Sequence, residues 1–574
     1  MQILGIHDGH NASACLLENG KIKYVLQEER LKRIKNVFGF PSLAIKEIFK
    51  LAEISYKDLD FVAFSSKYLS RISMNKEELL ETYRKVNSYK TYFKRAVKRT
   101  FIKDLYEKYM IRKRMEKIEK EGFPKERIIF LDHHLAHAAA AYYGCPWWKN
   151  EKILVLTNDA GGDGLCATVN VGENGRLRKI AEVKIADSLG CIYSMITFIL
   201  GMTPEEDEYK VMGMAPYCNK HGFQEIYNEF KKLLKFNLND GGITWHRANG
   251  CPNTQYSYKF FRKLTELHRF DWTCAGLQRF CEEMLVEWVR NCIRKTRIRK
   301  VALSGGVFLN VKANKLIMEL PEIESLFIFP SCGDESNSTG AAYQIYAEEK
   351  LKKGEPIDIN PLENIYFGPE FKDKEIEIVL KNNDNNNGVY KYEKKDDIEK
   401  EVAHLLNKEE IVARFKGKME FGARALGNRS ILADPINIEV VKTINDIIKN
   451  RDFWMPFAPS ILKERTDEYL VNHKQIDSPY MIICFDSTEK VKELKAACHP
   501  YDNTIRPQVV YKDWNPDYYR LIKEFEKLTG RGAILNTSFN LHGHPIVCSP
   551  KDALEVFKKS GLEYMAMGNF LVRK

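Results

Sequence analysis

Two stretches of the chain, 155 positions apart, follow one plan, and that repeat narrows the folds open to it. The first runs from the apolar Ile3-Leu4-Gly5-Ile6 through Asp8-Gly9-His10-Asn11-Ala12-Ser13 into Cys15-Leu16-Leu17, then turns at Glu18-Asn19-Gly20-Lys21. The second follows the apolar run Ile153-Leu154-Val155-Leu156 with Asp163-Gly164-Leu165-Cys166-Ala167-Thr168 and then Glu173-Asn174-Gly175-Arg176. Asn-Gly between apolar runs signals a tight hairpin, because both central residues of that turn need positive φ. Strand, Asp-Gly turn and hairpin recurring in one order imply an internal duplication.

That pattern resembles the duplicated superfamily of actin, sugar kinases and heat-shock chaperones, whose paired turns face each other across a cleft and hold nucleotide phosphate. Small turn residues let backbone N–H groups approach an anion. The residues of this chain that fit a nucleotide contact are Gly9, Lys210 in Glu208-Tyr209-Lys210-Val211-Met212-Gly213, and Ser304, Gly305, Gly306 and Asn310 in a strand, glycine turn and helix start. For Lys210, a surface lysine ahead of an apolar turn is the competing reading.

The stretch Asp132-His133-His134-Leu135-Ala136-His137 runs into four alanines, a strong helix signal. Residues four apart share a helix face, so His133 and His137 can aim two imidazole nitrogens at one point. Asp159 lies at the end of the Ile153–Leu156 strand, and Asp334 lies beyond the strand Leu326-Phe327-Ile328-Phe329. They complete a candidate metal set of His133, His137, Asp159 and Asp334, with Asp163 as rival for the third place. Two histidines with carboxylates and open positions suit Fe(II) or Zn, with Mn a further option. A helix-capping histidine cluster is the alternative.

At 574 residues the chain exceeds one ordinary core, so more than one domain is expected. Residues 1–351 read as the duplicated domain, 352–369 as a Gly- and Pro-bearing linker, and 370–574 as a second α/β domain. Within the first, about 67–127 reads as a helical insertion with a solvated basic face, as at Tyr92-Phe93-Lys94-Arg95. Near Glu28-Glu29-Arg30 the reading is a strand end and a loop bordering the first domain's cleft. Asn382 to Asn387 reads as a surface turn. The 13 cysteines form no CxxC pair, and Met1 leads straight into a strand with no leader pattern, which points to a cytoplasmic protein. No apolar stretch is long enough to span a bilayer. Net charge of +11 invites an acidic or phosphate-rich partner, but nucleic acid is the less favoured one because much of the excess lies in one helical region. The second domain gathers basic groups among glycines and amides: Lys416, Arg424, Asn428 and Arg429, then Arg451, Arg506, and Asn536, Ser538 and Asn540. Guanidinium forks bind phosphate oxygens bidentately, and glycine clears the approach.

Seven motifs in order, DGHNAS, DHHLAHAA, YKVMGMAPY, LSGGVFLN, GARALGNRSIL, MPFAPSIL and ILNTSFNLHGHPIV, resemble the carbamoyltransferase family of antibiotic, cephem and nodulation O-carbamoyltransferases. The resemblance implies an actin-like first domain related to the metal-binding subunit that transfers threonylcarbamoyl to tRNA, and a YrdC-like second domain. It further implies that the second domain joins carbamoyl phosphate and ATP, with Mg, into carbamoyl-adenylate. The first domain would then pass the carbamoyl group to an acceptor hydroxyl of a small molecule. Fe(II) would be held by His133, His137, Asp159 and Asp334. Asp8 and His10 are the candidates to orient or deprotonate the acceptor, with phosphate-turn scaffolding as their other role. The chain departs from the family at Ala423 for proline, Met455 for arginine and His544 for glutamate. A tRNA-acting transferase docked through the basic insertion, and a plain nucleotide-binding ATPase, are the rival functions; the insertion is also a candidate homodimer contact.

Overall fold

The repeat is realised as two five-stranded sheets with one strand order. A computed structural model describes residues 1–67, 76–84, 102–219, 221–383, 390–449 and 451–574. The basic run at 92–99 and positions 384–387 of the expected surface turn lie outside the described residues. In the first sheet, β1 (Gln2–His7), β2 (Ser13–Glu18) and β3 (Lys21–Gln27) form an antiparallel meander, and β4 (Phe61–Ser65) and β5 (Ile128–Leu131) add in parallel, giving the order β3-β2-β1-β4-β5. In the second, β6 (Ile153–Gly162), β7 (Leu165–Glu173), β8 (Arg176–Lys184), β9 (Lys300–Ser304) and β10 (Ser325–Ile328) repeat that arrangement as β8-β7-β6-β9-β10. Both meanders turn on an Asn-Gly pair with positive φ at both residues, 47° and 75° at Asn19-Gly20 and 51° and 71° at Asn174-Gly175.

Each half ends in a helix that starts just beyond its last strand: α1 (His133–Gly144) after β5 and α2 (Asn337–Lys352) after β10. The helices exchange partners, α1 packing on β6, β7 and β9 and α2 on β1, β2 and β4. They cross closely because small residues line both: a Cβ added at Gly340 of α2 would lie 1.8 Å from the Ala136 carbonyl oxygen of α1. Nearly all of α1 is buried, its histidines 133, 134 and 137 included. That is why the Ala run carries no polar face.

By its internal contacts the chain divides into two units, Met1–Glu28 with Asn36–Leu362, and Glu29–Lys35 with Glu363–Lys574. The expected cleft-bordering loop near residue 29 is corrected on two counts. Glu28–Lys32 is a short helix, and Glu29–Lys35 belongs to the second unit. There Arg30 donates to the Gly422 carbonyl, and Arg33 donates to the Ile546 carbonyl at 2.7 Å and to that of Pro545 at 3.1 Å. The insertion is helical at Lys76–Arg84 and Ile102–Lys120, but its basic face is not wholly solvated, since Arg114 is 4% exposed.

The second unit is built on an eight-stranded mixed sheet of β11 (Lys391–Lys394), β12 (Val412–Phe415), β13 (Arg429–Ala433), β14 (Ala458–Leu462), β15 (Gln508–Val510), β16 (Ala533–Ser538), β17 (Tyr564–Met567) and β18 (Phe570–Arg573), ordered β11-β18-β17-β12-β13-β16-β14-β15. Side chains alternate across it as the two-residue strand period requires. Ala413, Phe415, Ile431, Leu535 and Met565 enter one core, while Val412, Leu432, Ile534 and Ala566 enter the other with α3 (Ile398–Asn407) and α4 (Pro516–Thr529).

Candidate metal centre and anion site

The ends of strands from both halves of the first unit deliver one cluster. Asp132 caps α1, its carboxylate accepting from the Leu135 N–H at 3.0 Å, and so sets the helix that carries His133 and His137 on one face. Asp159 comes from β6 and Asp334 from the turn after β10. The ligand atoms of His133, His137, Asp159 and Asp334 all lie within 4.8 Å of one another. His133 Nε2 is 3.3 Å from Asp159 Oδ2 and 3.4 Å from Asp334 Oδ1, and His137 Nε2 is 3.3 Å from Asp334 Oδ1. Gly162 makes room for the His133 ring, since a Cβ there would stand 2.1 Å from its Cγ.

The electrostatics follow from burial of unlike charges together. Burial disfavours the charged imidazoles, but Asp334 and Asp159 outweigh it, raising His133 to about 9 and His137 above its ordinary value. Asp159 and Asp334 are held below the usual carboxylate range by the facing imidazoles, against both burial and, at Asp159, the neighbouring Asp334 charge. His134 stays neutral, lowered to about 3 by burial and by the flanking histidines, and its Nδ1 lies 2.9 Å from Thr157 Oγ1.

Atoms pointing away from the cluster centre are tied: Gly306 N–H donates to Asp159 Oδ1 at 3.2 Å, and His137 Nδ1 is 3.2 Å from Ser304 Oγ. Such outer contacts orient ligands. Two carboxylates with two imidazoles that give up their protons to bind suit a divalent cation, and the residues present fit one. Asp163 does not share this cluster. It accepts from the His133 backbone N–H at 2.8 Å, from Lys67 N–H and from Ser66 Oγ, and so anchors the start of α1.

Other sequence candidates in this unit fall in different places. Asp8 is buried and takes a two-pronged ion pair from Arg114, whose guanidinium also lies 4.6 Å from the Phe130 ring centre. His10 packs on Phe38, ring centres 4.9 Å apart. Gly9 accepts from the Gly39 N–H. Gly305, at φ 109°, backs onto the Asn158 backbone, while Ser304 and Gly306 serve metal-set residues. Asn310 caps the next helix through Ala313 N–H at 3.1 Å, and Lys210 pairs with Asp207 at 3.2 Å. His7 is a group that sequence reasoning passed over, although it directly precedes the Asp-Gly turn.

In the second unit the predicted basic and amide residues divide between a scaffold for the glycine-rich loop and a cationic group. Arg429, fully buried, donates to the carbonyls of Gly417, Asn428 and Pro369 and stacks 3.8 Å over Phe415. Asn428 donates to the Lys418 carbonyl, Lys416 pairs with Glu399 at 2.7 Å, and Asn536 donates to the Ala425 carbonyl. These four hold the loop in shape. Lys449, Arg451, Arg424 and Arg506 form the other part. Burial lowers Arg506 to about 9, with Arg424 and Arg451 adding like-charge repulsion. Lys449 is pushed well below its ordinary value by burial and then by Arg451 and Lys35. Its Nζ donates to Ser538 Oγ at 2.9 Å and Asn540 Oδ1 at 3.0 Å, which brings in two more predicted residues. Lys449 stands two residues before Arg451, but its depressed basicity has no sequence signal.

A family profile described as Carbamoyltransferase N-terminus matches residues 2–343, and one described as Carbamoyltransferase C-terminus matches residues 403–574. The chain belongs to the carbamoyltransferase family and is a transferase. Among relatives, it is 31% identical to the uncharacterized protein sll1178 of Synechocystis over 98% of this chain and 95% of that one. It is 30% identical to nodulation protein NolNO of Sinorhizobium fredii over 98% and 79% of the two chains. Similarity to the 3'-hydroxymethylcephem-O-carbamoyltransferase of Amycolatopsis lactamdurans is 28% over 46% of this chain and 47% of that one. Among solved structures, full-length HypF in its phosphate- and nucleotide-bound form aligns over 61% of this chain and 56% of that one, with 14% identity and a TM-score of 0.31. Among the described residues, no helix is long and apolar enough to cross a membrane.

Proposed function

We propose that this carbamoyltransferase makes carbamoyl-adenylate from carbamoyl phosphate and ATP in its second unit and transfers the carbamoyl group to a hydroxyl of a small-molecule acceptor in its first. The observation that carries the reading is the gathering of basic groups around Arg451, with Arg506 feeling the charges of Arg424 and Arg451 and the buried Lys449 feeling that of Arg451. Like charges held this close favour a multiply charged anion settling among them. A substrate with phosphate at both reaction partners supplies such anions.

The chemistry divides accordingly. Carbamoyl phosphate gives up its phosphoryl group to water, and a carbamate oxygen attacks the α-phosphorus of ATP, expelling pyrophosphate. The arginines bind the phosphate oxygens and offset charge as it builds on the leaving group. Lys449, placed by Ser538 and Asn540, donates to the same oxygens. Adenylation is needed because the carbamoyl nitrogen donates electrons to its carbon and blunts attack; AMP is a better leaving group. In the first unit the acceptor oxygen attacks the carbamoyl carbon, loses its proton and displaces AMP. His10 is the proposed base for that proton, and Asp8, fixed by Arg114, positions the turn that carries it. A divalent cation bound by His133, His137, Asp159 and Asp334 would supply Lewis-acid charge stabilisation at that site.

The test is pyrophosphate release from ATP in purified protein, with and without carbamoyl phosphate and without acceptor. Release is expected to require carbamoyl phosphate and to fall by about 100-fold or more in Arg506→Ala, a loss on the scale of removing a charge-stabilising donor. ATP turnover indifferent to carbamoyl phosphate would refute the adenylate reading and favour a plain ATPase.

A further inference from the structure

His7, at the end of β1, is buried, and its two ring nitrogens face different partners. Nδ1 is 2.9 Å from Ser65 Oγ on the neighbouring strand β4, and Nε2 is 3.6 Å from Asp334 Oδ2 with no hydrogen bond of its own. Ser65 Oγ also lies 3.3 Å from the Ile6 carbonyl oxygen, so its one proton has two acceptors to choose from. The carboxylate decides between them. An imidazole nitrogen facing a carboxylate is stable there as N–H, which leaves Nδ1 as the acceptor and Ser65 as the donor.

The two carboxylates of the candidate metal set are then held in one manner. Asp159 turns Oδ2 inward to the histidines and Oδ1 outward to the Gly306 N–H. Asp334 turns Oδ1 inward, 3.3 Å from His137 Nε2, and Oδ2 outward to His7. A gap of 3.6 Å is longer than a hydrogen bond. A carboxylate shift of about 0.6 Å closes it. Without a donor on the outward side, Asp334 is free to swing both oxygens onto one cation and so raise its coordination number.

We propose that His7 is a positioning residue, pinned by Ser65, that keeps Asp334 a one-oxygen ligand and so sets the geometry of the metal centre. The inference rests on the metal-centre reading of the cluster. It needs no contact between His7 and substrate or cation.

The experiment is Co(II) binding to the full chain, read by chelator competition and by the visible ligand-field bands, whose intensity falls as coordination number rises. His7→Leu is expected to weaken Co(II) binding by about 10- to 100-fold, the range for lost outer-sphere partners, and to dim the bands. His7→Gln, which returns an N–H donor near the position of Nε2, is expected to restore both. Ser65→Ala is expected to give the same dimming to a smaller degree. Should His7→Leu fail to fold, the Gln and Ser65→Ala variants decide the matter by the same two readings. Wild-type affinity and band intensity in His7→Leu, or in Ser65→Ala where His7→Leu does not fold, would overturn the role of His7 while leaving the metal centre intact. Failure of the wild-type chain itself to bind Co(II) would instead refute the metal centre, and the proposal with it.

Discussion

Gly162→Ala tests the metal centre through packing, without touching a ligand. The new Cβ would stand 2.1 Å from His133 Cγ, 2.2 Å from Cδ2 and 2.6 Å from Nδ1. Carbon atoms rest about 3.5 Å apart, so the ring must retreat by about 1 Å or more. Metal–nitrogen distances tolerate only about 0.2 Å, so His133 is expected to leave the cluster. Loss of an outer partner alone costs about 10- to 100-fold in affinity. Displacing a ligand is expected to cost at least about 100-fold, or about 2.7 kcal/mol. Gly162 does not have a positive φ, so the backbone accepts alanine without strain of its own. The assay is chelator competition for Co(II) or Fe(II), with circular dichroism to confirm the fold. A double-mutant cycle with His133→Ala sharpens it: once the ring is gone, Gly162→Ala should cost little more. Affinity within about threefold of wild type in Gly162→Ala would refute His133 as a ligand.

Three further perturbations address other parts of the structure. Lys449 sits below its ordinary 10.5, so between its folded value and 10.5 the unfolded chain holds a proton that the folded chain lacks. Its burial therefore destabilises the fold at low pH, and that penalty fades as pH rises through this window. An anion bound beside Lys449 draws the proton back, so carbamoyl phosphate binding should take up protons and weaken as pH rises across the same window; calorimetry in two buffers of different ionisation enthalpy would show it, and no buffer dependence would contradict it. Arg114→Met leaves Asp8 buried and unpaired, which is expected to lower stability by about 3–5 kcal/mol in denaturant unfolding. Adding Asp8→Asn should return much of the loss, whereas additive losses would mean the pair is not coupled. Gly340→Ala places a methyl 1.8 Å from the Ala136 carbonyl oxygen, and thermal unfolding should show a loss of about 1–3 kcal/mol as α1 and α2 are forced apart.

The duplicated frame was legible because turn chemistry is local. Asn-Gly needs no partner elsewhere in the chain to form its turn, so Asn19-Gly20 and Asn174-Gly175 announce themselves. The clustering of the candidate metal set was legible for a related reason: His133 and His137 share a helix face, and Asp159 and Asp334 sit at strand ends. Asp8 and Asp163 show where the pattern stops informing. They hold matching places in the repeat, yet one answers Arg114 and the other the start of α1. Arg114 was hidden in a charged helix whose apolar and polar residues give no clear stripe. In the second unit, Lys416, Asn428, Arg429 and Asn536 looked like anion ligands because loops rich in glycine need donors. Asn428, Arg429 and Asn536 donate to backbone carbonyls in and beside the loop, which would otherwise be buried without partners, and Lys416 pairs with Glu399. His7 went unread because its meaning depends on Ser65 and Asp334, 58 and 327 positions away.

The passage of Glu29–Lys35 into the second unit bears on how such a protein can be taken apart. The chain changes units three times, after Glu28, after Lys35 and after Leu362. A gene cut once at residue 362 would yield a C-terminal product whose Gly422 and Ile546 carbonyls have lost the guanidinium groups of Arg30 and Arg33. Gene fission and simple domain shuffling are thereby disfavoured. A working fragment would need the seven-residue strip supplied as a peptide or fused on by permutation, so that the two units are bound to be inherited together.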